Sequence, residues 1–511
     1  MKRVFVVAIL ATGFQFCERT LAADEPDGLA AAVAIQDTFV RVIESAEKSV
    51  VSIARAKIRP AAPPILEAPR RPFPGRAEPG IEDTERFIPN EFGAGIVLDE
   101  NGLVLTNYHL VRGGPTVEPR PDYKAEQTLY VRLPDRRGFE ARILAADPRS
   151  DLAVLKIPAN DLKPIRLGNA ASARKGQFVI ALGNPYQIAR DGSASATWGI
   201  IGNLTRLPLP EPGRDDRQPG ETIQNLGVLM QIDTRLDLGT SGGALLNLQG
   251  ELIGITTALA AIVGYEKSAG FAVPIDDSTR RIIETLRQGK EVEYGFLGIV
   301  MDEDDLLSSN DELLPVAAKY HQHGAARIKS VVPNLPAERG GLKNNDLVVR
   351  VGEKPIYSKK DLMREIGLLA PGTVVPMRVW RPGDRADLQL AVEVGKWPRD
   401  NEEAMITSAR IREPWRGLIY DYPTSRFRFS GTLMTRPERN SGVIVLDVLA
   451  DSPAAAELRP EDVITHVNGR PVRTPKDFLE AVQGQTGPVQ LQVLPGAQPQ
   501  APSRSVEIKP R

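Results

Sequence analysis

Cysteine is almost missing from this sequence: Cys17 is the only one in 511 residues. It falls inside an N-terminal segment with the features of an export signal, so removal of that segment leaves no thiol. Disulfide staples and a cysteine nucleophile are thereby excluded, and stability must come from burial of apolar surface. Histidine is scarce, with four in the chain, and the formal net charge is only -1. No excess of positive charge argues for nucleic acid or an anionic membrane surface as a partner. Beyond the first two dozen residues, no apolar run approaches the roughly 20 residues of a spanning helix.

What is present begins with that segment. Lys2 and Arg3 precede an apolar run from Val4 to Phe16, and Leu21-Ala22-Ala23 offers small residues to a signal peptidase. Residues 1–23 are read as a signal peptide that exports the chain. A transmembrane anchor is the competing reading, but Glu18 and Arg19 end the run early. Phe14-Gln15-Phe16 lacks the small residues of a lipoprotein cleavage site. A chain of this length exceeds one ordinary core, so several domains are expected.

From Leu29 to Ile43 apolar residues recur at roughly helical spacing, which predicts a helix leading into a strand at residues 49–53. Proline crowds residues 59–90 and predicts a long loop without regular elements, an inert linker or a regulatory one. Short β-type runs follow at 95–98, 103–105, 152–155, 178–181 and 252–255, with an Asn101-Gly102 turn between the first two. No long helical pattern interrupts residues 92–275, which favours β-barrels over a parallel α/β sheet. Farther on, Pro336 to Val348 and Pro453 to Ile464 are two copies of one pattern, each followed by a helix start at Asp361-Leu362 or Asp477-Phe478.

The chemistry centres on Gly239-Thr240-Ser241-Gly242-Gly243. Glycines around a serine let the backbone turn tightly and present its hydroxyl, although a glycine turn with an idle serine has the same look. A hydroxyl needs a base, and His109 is the one histidine in the barrel segment; His321, His323 and His466 fall in the repeat region. His321-Gln322-His323 is half a metal site or a solvated loop, and no third ligand accompanies it. The base needs a carboxylate to fix its tautomer. Asp151, just before an apolar run, is preferred; Asp147 is the alternative, but Asp-Pro reads as a turn start that Arg149 would keep solvated. The order His, Asp, Ser is that of chymotrypsin-like enzymes and agrees with the all-β reading.

With these residues in view the chain resembles the HtrA/Deg family of trypsin-like serine proteases. Thr106 to His109, Asp147 to Asp151, Gly183-Asn184-Pro185, Gly239 to Gly243 and Gly270 to Pro274 match its barrel motifs in order, and the two copies resemble PDZ domains. The resemblance implies an all-β, chymotrypsin-like double β-barrel protease domain over 28–285, then PDZ-like α+β domains over 290–397 and 412–510. It implies an exported endoprotease for unfolded or damaged proteins, with no cofactor and no metal, acting as a trimer or a multiple of trimers. It places the oxyanion hole at the amides of Gly239 and Ser241, and makes Leu236 and Leu259 the walls of an apolar pocket for small aliphatic residues. Arg235 stands where trypsin has its anion, and it would neutralise Asp237. Gly295-Phe296-Leu297-Gly298-Ile299 fits the loop with which PDZ domains hold a C-terminal carboxylate. In the second copy Pro414 removes one amide donor and Arg416 replaces an apolar residue, so an assembly role is equally open there. A chaperone or scaffold that cleaves little is the rival from another class.

Overall fold

The computed structural model describes residues 28–57, 91–116, 127–184, 192–206, 228–234, 236, 239–257, 270–301, 314–398, 405–427, 437–496 and 501–510. The signal segment and the proline-rich stretch lie outside these residues. The expected first helix spans Gly28–Ala46, and a short 3-10 turn delivers the chain into the first barrel.

That barrel is built from β1 (Val50–Lys57), β2 (Glu91–Val97), β3 (Leu103–Asn107), β4 (Gln127–Arg132), β5 (Gly138–Asp147) and β6 (Leu152–Lys156). The strands run in the order β5-β4-β1-β2-β3-β6, and pairing of β5 with β6 closes the ring. The Asn101-Gly102 turn between β2 and β3 is as expected: Gly102 takes φ 96°, and Asp99 Oδ1 accepts from the amides of Asn101 and Leu103. Its interior is aliphatic, with Ile53, Val104, Leu129, Val131, Ile143 and Leu155 in one cluster.

A second closed barrel follows, from β7 (Phe178–Gly183), β8 (Ser195–Arg206), β9 (Leu229–Ile232), β10 (Ala244–Leu246), β11 (Leu252–Thr257) and β12 (Gly270–Pro274). Ile96, Leu105 and Leu152 of the first barrel share one cluster with Ile180, Leu182 and Ile255 of the second. Burial of this shared apolar face fixes the two barrels against each other, and the candidate catalytic residues come from both. The helix Asp277–Arg287, capped by the Asp276 side chain, covers this cluster with Ile282, Ile283 and Leu286.

Two small α+β units complete the chain. In the first, strands Ile299–Met301, Ala326–Val331, Leu347–Val351, Val374–Arg381 and Ala386–Glu393 lie side by side in that order; in the second, Leu418–Asp421, Val443–Val448, Val463–Val467, Val489–Leu494 and Arg504–Ile508 repeat it. Each unit has one helix at the place the repeat indicates, Lys359–Gly367 or Pro475–Val482, and both start two residues earlier than expected. Ser358 and Thr474 are the reason: each caps its helix by accepting from the amide of Asp361 or Asp477.

One element has no counterpart in the sequence reading. Residues 398–411, expected only to connect the two repeats, contain the strand Ile406–Thr407, which pairs antiparallel with Ala146 and Ala145 of β5. The first barrel thus gains a seventh strand from a segment far along the chain, and Ile406 is buried in its core.

Candidate active site

β3 runs directly into the four-residue helix Tyr108–Val111, so a barrel strand sets where His109 stands. Asp151 ends the reversal between β5 and β6 with φ 54°, a left-handed conformation that a side chain other than glycine adopts only when its surroundings impose it. The surroundings are evident. The Asp151 carbonyl accepts from the Tyr108 amide at 2.9 Å and from Asn107 Nδ2 at 3.1 Å. Its carboxylate accepts from the His109 amide at 2.9 Å and meets His109 Nδ1 at 2.8 Å through Oδ2. The carboxylate is nearly sealed from water, at 4% exposure, while the imidazole keeps 22%. A buried carboxylate can only accept, so this contact suits a proton on Nδ1 and leaves Nε2 without a claim from Asp151.

Ser241 comes from the second barrel, on the turn between β9 and β10. Gly239 and Gly242 both have positive φ, 97° and 81°. At Gly242 a side chain would also run into the Ala94 carbonyl and Thr106 Oγ1, so the glycine is demanded by close approach of β2 and β3. That approach joins the barrels: the Ala94 amide donates to the Ser241 carbonyl at 2.8 Å, and Thr106 Oγ1 donates to the Ala94 carbonyl at 2.8 Å. Thr106 lies three residues before His109, so the serine turn is fastened to the strand that carries the histidine. Behind the turn, Thr256 Oγ1 donates to the Thr240 carbonyl at 2.6 Å, and the Gly242 amide donates to the Thr256 carbonyl at 2.8 Å. Ser241 itself is buried, at 3% exposure.

Of the other candidate residues, Leu236 is half-buried and packs at the edge of the second barrel's core, against Gly270. Leu259 lies outside the described residues, as do Arg235 and Asp237. Phe296 stacks edge-on against Trp397, with ring centroids 5.6 Å apart; Leu297 is buried, and Gly298 takes φ 78°. His321 and His323 are exposed, and the buried residue of that trio is Gln322.

Asp147 requires a correction. It does start the turn, since its Oδ2 accepts from the Ser150 amide at 3.0 Å, but Arg149 does not keep it solvated: it is fully buried. The partner that makes this possible is the Tyr294 hydroxyl, which donates to the same oxygen and sits 147 residues downstream. No local sequence signal announces that contact.

Known protein families match most of the chain. A trypsin-like peptidase domain matches residues 93–255, and PDZ domains match 295–394 and 444–491. A relative described as a probable periplasmic serine endoprotease, DegP-like, from Pseudomonas fulva (strain 12-X) is 31% identical over 76% of this chain and 73% of its own. The chain belongs to the HtrA/Deg family. A second family member with the same description, from Ectopseudomonas mendocina (strain ymp), is 29% identical over 87% of this chain and 88% of its own. A solved HtrA-type protease, AlgW with tripeptide, overlays at a TM-score of 0.48 with 23% identity, covering 71% of this chain and 98% of that one. As an HtrA/Deg protein with both barrels and two PDZ domains, this chain is a serine endopeptidase. Among the described residues no helix is long and apolar enough to cross a membrane.

Proposed function

We propose that His109, Asp151 and Ser241 form the catalytic triad, and that the enzyme degrades unfolded or damaged polypeptides in the bacterial periplasm after export by residues 1–23. The observation that carries this reading is the double hold of His109, by amide and by Nδ1, on a buried Asp151. Ser241 Oγ attacks the scissile carbonyl as His109 takes its proton. The amides of Gly239 and Ser241 stabilise the oxyanion, and His109 returns the proton to the departing amine. Water activated by the same histidine then releases the acyl group. Asp151 holds the ring and offsets the imidazolium charge.

Leu236 and Leu259 form a shallow apolar pocket that accepts Val, Ala, Ile and Leu before the cut. Phe296, Leu297 and Gly298 hold peptide carboxylates in the first PDZ domain. The strand Ile299–Met301 supports that role, since it is an edge with one neighbour among the described strands and offers its other side to a peptide. The second PDZ domain is better suited to support. Its loop is closed on itself by reciprocal Trp415 and Leu418 amide–carbonyl bonds of 3.0 and 2.8 Å, and Arg416 is spent on the carbonyls of Ile508, Gln485 and Gly487.

The domains divide as 28–285, 290–397 and 412–510. The protein assembles as a homo-oligomer, a trimer or a multiple of trimers. An exposed aromatic cluster supports association: Trp198 is 60% exposed and packs with Phe39 and Phe178, with ring centroids 5.4 and 6.0 Å away, and Leu29, Val33 and Ile35 are exposed on the first helix. Degradation of unfolded casein tests the enzyme. Wild type should fragment it mainly after Val, Ala, Ile and Leu, by mass spectrometry, and Ser241→Ala should lower the rate by at least about a thousandfold. Equal suppression of aggregation by both proteins, with cleavage by neither, would overturn the reading.

A further inference from the structure

The pair of Asp147 and Tyr294 is buried, polar and unused by the acyl-transfer scheme, yet it lies one chain reversal from the triad. β5 ends at Asp147 and β6 begins at Leu152, so the four residues between them turn the chain, and the last is Asp151 in its left-handed conformation. Asp147 Oδ2 closes that turn by accepting from Ser150 twice, from the amide at 3.0 Å and from Oγ at 2.5 Å. The Tyr294 hydroxyl donates to the same oxygen.

Tyr294 cannot move freely. It is 1% exposed, packs in the cluster shared by the barrels, and has the Arg149 guanidinium 5.4 Å from its ring centroid. Its carbonyl accepts from the Trp397 amide at 2.7 Å. Burial first, and then the neighbouring Asp147 charge, push its phenol well above the ordinary range, so the hydroxyl stays a donor at any working pH. The turn has a further outside hold, since Arg149 donates to the Pro398 carbonyl at 2.9 Å.

We propose that Tyr294 is a positioning residue for the triad: through Asp147 and Ser150 its hydroxyl fixes the reversal that sets Asp151 against His109. The proposal rests on the triad assignment made above. A left-handed Asp costs on the order of 1–2 kcal/mol, so the turn keeps it only under constraint. A displacement of about 1 Å in such a constellation can cost about a hundredfold in rate. Loss of one donor to a sealed carboxylate lets the turn relax by part of that distance while the Tyr294 ring continues to fill its place.

The test uses the full-length protein and a short chromogenic peptide. Tyr294→Phe should lower kcat about tenfold or more with KM within twofold of wild type, and should slow fluorophosphonate labelling of Ser241 to the same degree. Asp147→Asn should show the same split. Because Tyr294 acts through Asp147, the double variant should be no slower than Asp147→Asn alone. A Tyr294→Phe enzyme with kcat within twofold of wild type overturns the proposal, as do losses that multiply in the double variant. If Tyr294→Phe does not fold, Ser150→Ala carries the test: a loss of kcat at constant KM supports the proposal, and an unchanged kcat overturns it. Failure of the triad assignment is seen separately, as activity that survives in Ser241→Ala.

Discussion

Lys396 carries its charge into a place that water hardly reaches: it is 1% exposed, with Nζ 2.6 Å from Asp421 and 3.2 Å from both Glu291 and Glu293. Arg412 completes the group, at 2.8 Å from Glu293 and 2.9 Å from Asp421. Burial works against the Arg412 cation, but the charges of Asp421 and Glu293 more than offset it and hold the guanidinium above its usual range. Burial, followed by the Glu293 charge, pushes the neighbouring Tyr422 phenol up to about 12. These side chains come from both ends of the first PDZ domain and from the start of the second. Removing one member strands the others without solvent. Lys396→Met should therefore destabilise the PDZ pair by about 3–5 kcal/mol, measured by urea unfolding. A change below about 1 kcal/mol would mean that water reaches the carboxylates after all.

Among the elements, the two PDZ loops show how one pattern diverges. Residues 295–299 and 414–418 align in the repeat, and Pro414 already marks the second loop as short of a donor. The closing bond pair between Trp415 and Leu418 was not legible, because it depends on the backbone path and not on residue type. The proposed division of roles gives a direct expectation. Full-length Ser241→Ala protein should bind a peptide ending in an apolar residue, and amidating the peptide terminus should weaken binding at least tenfold in a calorimetric titration. Gly298→Ala should have the same effect, since φ 78° is strained for alanine and its methyl would strike Leu335. Equal affinity for the free acid and the amide would remove the carboxylate from recognition.

At the scale of the whole molecule, the exposed rings of Phe178 and Trp198 belong to the barrel that carries Ser241. If copies associate through this face, Trp198→Asp should shift the mass seen by light scattering toward the monomer while leaving the barrel folded, because the side chain is mostly outside the core. An unchanged mass would move the interface elsewhere.

What the sequence determined by itself was whatever depends on short range: the alternating strands, the Asn101-Gly102 turn, the two repeat helices, and a serine turn whose glycines must take positive φ. The triad candidates were legible for the same reason, since only one histidine lies in the barrel segment and an Asp precedes β6. Tertiary structure decided the rest. Asp147 read as a solvated turn residue because nothing near it in sequence reveals Tyr294, and burial of a carboxylate is tolerable only once that distant donor arrives. Ile406–Thr407 read as connection because two residues carry no periodicity; they become a strand because β5 has an edge to pair. Lys396 meets Glu291, Glu293 and Asp421 only in the folded chain, and nothing in its local sequence marks it for burial. A residue's type sets what it can bond to, but only the folded chain sets which partners reach it and whether water competes.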